Sequence, residues 1–323
     1  MIGPDELRGK LFPAVPVPLT SDGKIHAEGQ ARYVRHMAEQ PIGGVAVWAH
    51  TGRGLWLSAD QRAEVLAAWR RGLPPGCLVI AAAGSTPRLR HPDEVCASAR
   101  AMALHAASLG ADALLVHPPL AFRGHQEQDR LMLEYHAAVA EAGLPLILFY
   151  LYEAAGGVSY GPYLLAQLLA RPDVLGIKLA TLDSVMEFQQ VGRLVRTEFP
   201  EKVLVTGEDR FLGYSLMCGA EAALIGMGAG CTALQAAFLQ SYWAGDSARF
   251  LAQNGAVDEL AQHTFVAPME GYILRMLWCL VHQGIIPAEA AHDPWGPPLG
   301  AAEFAQIGAC LAQLGQLPAR ADI

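Results

Sequence analysis

Lysine is scarce in this chain, and basic runs are missing altogether. Only four lysines occur in 323 residues, and Lys plus Arg number 23 against 31 Asp plus Glu, for a net charge of −8. Nucleic acid is therefore not the expected partner, because phosphate binding depends on clustered positive charge. No apolar run reaches the roughly 18 residues that a membrane span needs. The opening segment, MIGPDELRGKLF, lacks the apolar core of a secretory signal. Six cysteines (Cys77, Cys96, Cys218, Cys231, Cys279 and Cys310) are scattered, with no C-x-x-C pair and no neighbouring His pair. That pattern argues against a zinc site and a disulfide framework, and places the chain in the cytoplasm. No G-x-G-x-x-G follows the first strand-like run, which counts against dinucleotide binding.

What is present is apolar and periodic. Hydrophobic residues make up 52% of the chain and charged ones 17%. Eight short runs rich in Val, Ile, Leu and Ala read as strands: 12–19, 43–49, 77–84, 112–119, 145–151, 174–180, 202–208 and 222–228. Near-continuous apolar runs of this length suit strands covered on both faces. Amphipathic segments lie between them, opened by Ser58, Asp93 and Asp183, with Gly110 as a stop. Eight strand–helix units predict a (β/α)₈ TIM barrel over residues 1–246. Residues 247–323 read as a C-terminal helical extension, its last two helices joined by DPWGPPLG (293–300). Surplus apolar surface of this kind favours a homo-oligomer.

One lysine stands out. Lys10, Lys24 and Lys202 have ordinary solvent settings, but Lys178 lies inside VLGIKLA, near the end of the sixth predicted strand. Both faces of a barrel strand are largely dry. An ammonium there loses hydration, so its pKa falls and the neutral amine becomes the stable form. A neutral amine is what adds to a carbonyl to form a Schiff base. The bland alternative is a lysine that ion-pairs or snorkels to the rim. Tyr150, at the end of the preceding strand, is a candidate proton carrier, with Tyr152 as its rival two residues on. The turn AHTGRG (49–54) offers backbone N–H groups and the Thr51 hydroxyl for a carboxylate.

Taken together, these residues resemble the dihydrodipicolinate synthase / N-acetylneuraminate lyase superfamily. GIKLAT (176–181) resembles the segment that holds the Schiff-base lysine, which implies that role for Lys178. An ungapped count back from it implies Tyr150 as the catalytic tyrosine. AHTGRGLWLSADQR resembles the family's Gly-Thr-Thr-Gly-Glu loop, with Thr51 on its second hydroxyl residue. VPLTSDGKIH (17–26) resembles the opening segment. GEDRF (207–211), which begins at Gly207, resembles the Gly-x-Asp segment, and Ile225 falls where a backbone carbonyl faces the site.

The departures are equally specific. His50 replaces the loop's first hydroxyl residue and Arg53 its glutamate. Pro119 and Leu120 replace a tyrosine pair, Ala155 an arginine, and Ala180 a frequent threonine. These losses weigh against both lysine-biosynthesis synthase and sialate lyase. The resemblance implies a class I aldolase or dehydratase acting on pyruvate or a 2-oxo-3-deoxy sugar acid. It implies neither metal nor organic cofactor, and a homotetramer. His50 either joins the proton relay or reads a different substrate. The alternatives are a non-catalytic barrel that binds a small oxo acid or a partner, and a phosphate-binding barrel using GMGAG (226–230).

Overall fold

Apolar strands without alternation need cover on both sides, and the fold supplies it by closing the sheet into a ring. A computed structural model describes residues 2–318 of the chain. Its eight strands are β1 (Leu11–Pro13), β2 (Gly44–Val47), β3 (Leu78–Ala83), β4 (Ala113–Val116), β5 (Leu146–Leu151), β6 (Val174–Ala180), β7 (Val203–Thr206) and β8 (Ala222–Ile225). All are parallel, in the order β1-β8-β7-β6-β5-β4-β3-β2. A bridge between Ala14 and Ala46 brings β1 against β2 and completes the barrel. The outer ring is α1 (Ala27–Ala38), α2 (Ala59–Gly72), α3 (Pro92–Ser108), α4 (Gln128–Ala140), α5 (Pro162–Leu169), α6 (Val185–Glu198), α7 (Leu212–Met217) and α8 (Thr232–Trp243). Every residue of the eight strands is buried.

Local chemistry explains the boundaries. Ser58 caps α2, accepting from the Gln61 N–H at 3.1 Å while Gln61 reaches back. The helix expected to open at Asp93 starts at Pro92, where a missing N–H costs nothing. The cap expected at Asp183 falls one residue on, at Ser184. The first strand is far shorter than residues 12–19, because Pro13, Pro16 and Pro18 lack the N–H that a ladder needs. Gly44 stands at φ +148, and a Cβ there would lie 2.0 Å from the Leu78 carbonyl oxygen, so only glycine lets β2 meet β3.

Three more helices follow: α9 (Ser247–Thr264), α10 (Tyr272–His282) and α11 (Ala301–Gln313). Residues 319–323 of the expected extension lie outside the described residues. The tail's buried side chains, among them Phe265, Tyr272, Met276 and Leu311, belong to the same hydrophobic core as the barrel. Arg275 is wholly buried and donates to the carbonyls of Val266 (2.8 Å), Pro268 (3.2 Å) and Thr264 (3.4 Å), and to Glu303 at 2.8 Å. These bonds fix the turn that delivers Tyr272 to the barrel mouth. Among the described residues, no single helix is long and apolar enough to cross a membrane.

Candidate active site

The site is built around Lys178 on β6. Its side chain is 5% exposed and lies within the barrel mouth. Burial lowers the pKa of its amine, opposed in part by the through-space pull of Asp209 and Glu208. The Nζ sits 4.1 Å from the centroid of the Phe149 ring. Gly207, just past the end of the neighbouring β7, makes the room, since a Cβ there would come within 2.5 Å of Lys178 Cε.

Two acids from the GEDRF segment flank the amine differently. Glu208 is committed to structure. It accepts from the Thr181 N–H (2.6 Å), the Thr181 hydroxyl (2.9 Å) and the Leu182 N–H (2.9 Å), clamping the end of β6. Burial raises its pKa to about 8. Asp209 lines the chamber and accepts from the Met227 N–H at 2.7 Å. Burial raises its pKa too, with Lys178 pulling it back down.

The loop after β2 carries the polar wall. Thr51 Oγ1 lies 2.9 Å from the Tyr272 hydroxyl, and His50 Nδ1 lies 3.1 Å from the same oxygen. The other face of the imidazole places Nε2 3.1 Å from Glu270 Oε1. Arg53 then joins Glu270 (2.7 Å) to Asp293 (2.7 Å). This explains the arginine in the loop: it ties that loop to the tail. The paired Glu270 is held down to about 2, with His50 and Arg53 overcoming its burial.

Two expected site residues fall elsewhere. Tyr150 is not at the amine. In the β5–β6 register Phe149 stands beside Lys178 and Tyr150 beside Leu179, so strand alternation turns Tyr150 to the helix layer. There its hydroxyl donates to Glu187 of α6, and its ring packs on Tyr160. The ungapped count missed this by one position, and one position in a strand changes the face. Tyr152, just past the strand end, does line the chamber. Ile225 also stands apart: its carbonyl accepts from the Ala14 N–H at 2.9 Å, in the seam between β1 and β8. Gly226 is the residue that borders the chamber. Thr51, His50, Gly207 and Lys178 border one chamber. Phe149, Tyr272 and Phe265 went unread. A tyrosine opening an amphipathic tail helix reads as core, and only tertiary packing puts it at the mouth.

The inner chamber holds only about 20 Å³ of open space, whereas an outer one holds about 240 Å³. His50 and Leu151 border both. Leu55, Trp56, Leu89, Pro118, Leu120 and Trp295 make most of the outer wall apolar, with Trp56 and Trp295 stacked at 6.4 Å.

An amine kept dry at the carboxyl-terminal mouth of a (β/α)₈ barrel, faced by a threonine and a phenol, defines the class: a barrel with a lysine-centred site where enzymes of this fold do their chemistry. The model of the dihydrodipicolinate synthetase family matches residues 7–299, and the chain belongs to that family. It is 28% identical over 261 residues to a 4-hydroxy-tetrahydrodipicolinate synthase of Synechococcus sp. (strain CC9605), covering 80% of each chain. It is 30% identical over 218 residues to the enzyme of that name from Prochlorococcus marinus (strain MIT 9313), covering 66% of each. Among solved structures, it is similar to YagE, a prophage protein of the dihydrodipicolinic acid synthase family from E. coli K12, in complex with pyruvate. That match has a TM-score of 0.82 at 21% identity and covers 95% of this chain and 98% of that one. A catalytic-lysine mutant of Ruminococcus gnavus sialic acid aldolase matches with a TM-score of 0.80 at 18% identity, covering 98% and 99%.

Proposed function

We propose that this protein is a class I, Schiff-base-forming lyase acting on pyruvate or a 2-oxo-3-deoxy acid. The observation that carries the reading is the buried amine of Lys178, which has no ion-pair partner among the described residues and whose charged form burial disfavours. The unprotonated amine adds to the C2 carbonyl, and loss of water leaves an imine. The positive nitrogen then accepts electrons from the bond beside it. A proton lost from C3 gives an enamine that adds to an aldehyde, and the reverse sequence cleaves the carbon–carbon bond. Thr51, with the backbone N–H groups of its turn, holds the carboxylate. His50 borders both chambers and meets the second substrate. The relatives' names support this chemistry.

Carbon–carbon bond making or breaking suits the outer chamber better than loss of water does, since it gives an aldehyde somewhere to sit. Its largely apolar wall accommodates an aliphatic or aromatic part of the aldehyde, while Ser85, Thr86, Arg90 and Glu270 on the same wall offer partners to hydroxyls. The working unit in this reading is a homotetramer in the cytoplasm. The six cysteines, none of them bonded, fit that compartment. The test is pyruvate release from a panel of 2-oxo acids carrying 4-hydroxy substituents. Wild-type protein is expected to release pyruvate from at least one, and Lys178→Ala from none. Release that persists in Lys178→Ala rules out the lysine mechanism.

A further inference from the structure

We propose that Tyr272, delivered from the C-terminal tail, is the phenol that carries protons for the chemistry at Lys178. The proposal rests on the imine reading above. The place beside the amine on β5 is held by Phe149, which has no hydroxyl to give. Tyr150 faces Glu187 in the helix layer. Tyr152 borders the chamber, but its hydroxyl makes no hydrogen bond among the described residues. The Tyr272 hydroxyl is the one set between two exchange partners: Thr51 Oγ1 at 2.9 Å and His50 Nδ1 at 3.1 Å.

The ring is built in. It stacks on Phe265 at 4.6 Å, and it lies over Gly226, where a Cβ would meet its Cε2 at 3.0 Å. Burial raises this phenol's pKa well above its ordinary value. The group therefore rests protonated and works by passing a proton through, not as a standing phenolate. His50 carries the path onward, with its Nε2 3.1 Å from Glu270, which borders the outer chamber.

The Lys178 nitrogen forms a bond to C2, and the carbonyl oxygen takes the Tyr272 proton. The tyrosine is refilled by the proton that the nitrogen gives up. A second proton, arriving through His50, lets the oxygen leave as water, and the positive charge stays on the imine nitrogen. In the next step the same hydroxyl path carries the C3 proton to solvent.

The experiment follows the methyl signal of pyruvate by proton NMR in D₂O, alongside borohydride capture of the imine. Tyr272→Phe is expected to capture pyruvate on Lys178 at long incubation while exchanging its methyl protons about 10²-fold more slowly than wild type. Tyr152→Phe is expected to exchange at close to the wild-type rate. Thr51→Val, which keeps the side chain's shape and removes one partner, is expected to slow exchange even at saturating pyruvate, where weaker carboxylate binding no longer limits the rate, and it decides the matter if Tyr272→Phe does not fold. Unchanged exchange in Tyr272→Phe, or in Thr51→Val where that variant decides, overturns the proposal; so does a loss confined to Tyr152→Phe. If wild-type protein captures no pyruvate at all, it is the imine reading that fails, a result distinct from intact capture with unchanged exchange.

Discussion

An ammonium at position 178 would face Phe149 and the floor of a chamber with room for about one water molecule. Burial therefore favours the neutral amine, and the sign of the pH dependence follows. Because the pKa is lowered, the reactive fraction grows as pH rises and saturates well below the ordinary lysine value of about 10.4. The initial rate of imine formation with pyruvate should climb to a plateau reached below that pH, and a rate still rising past it would mean a solvated amine. Lys178 was legible in the sequence because a charge inside an apolar run has few explanations. Tyr150 misled for the opposite reason: FYLYE offers two phenols two residues apart, and only the strand's phase decides which face each takes. Tyr150→Phe is accordingly expected to leave turnover nearly unchanged.

At the scale of elements, the site is a joint between the loop after β2 and the tail. Arg53 is the pin, 7% exposed and shared between Glu270 and Asp293, the latter 2% exposed. Removing it strands a buried carboxylate, so Arg53→Ala should cost about 3–5 kcal/mol of stability. Chemical denaturation of Arg53→Ala, Asp293→Asn and the double variant checks this, with a coupling energy above about 0.5 kcal/mol expected. Because the same joint positions Glu270, His50 and Tyr272, the variant should also lose activity beyond its loss of folded protein. The sequence showed Arg53 only as a departure from a familiar loop. Its partners lie 217 and 240 residues away, beyond any local pattern.

Across the whole molecule, the alternation of apolar runs with capped helices was enough to read the barrel, since parallel strands buried on both faces leave that signature. The helical tail was legible too, but not that it supplies the chamber with a hydroxyl-bearing ring besides Tyr152. An apolar face also remains on the surface, where Tyr214 and Met217 of α7 border one groove with Leu251 of α9, at 36%, 60% and 70% exposure. Such a face suits a subunit contact. Light scattering should give a multiple of the 34.5 kDa chain, reduced in the Met217→Glu, Leu251→Glu double variant.

The most direct check is chemical capture. Wild-type protein mixed with pyruvate and reduced with borohydride should carry a covalent pyruvate remnant on the peptide containing Lys178, and Lys178→Met should carry none. An unmodified Lys178 peptide, or a remnant found on Lys10, Lys24 or Lys202 instead, would contradict the account.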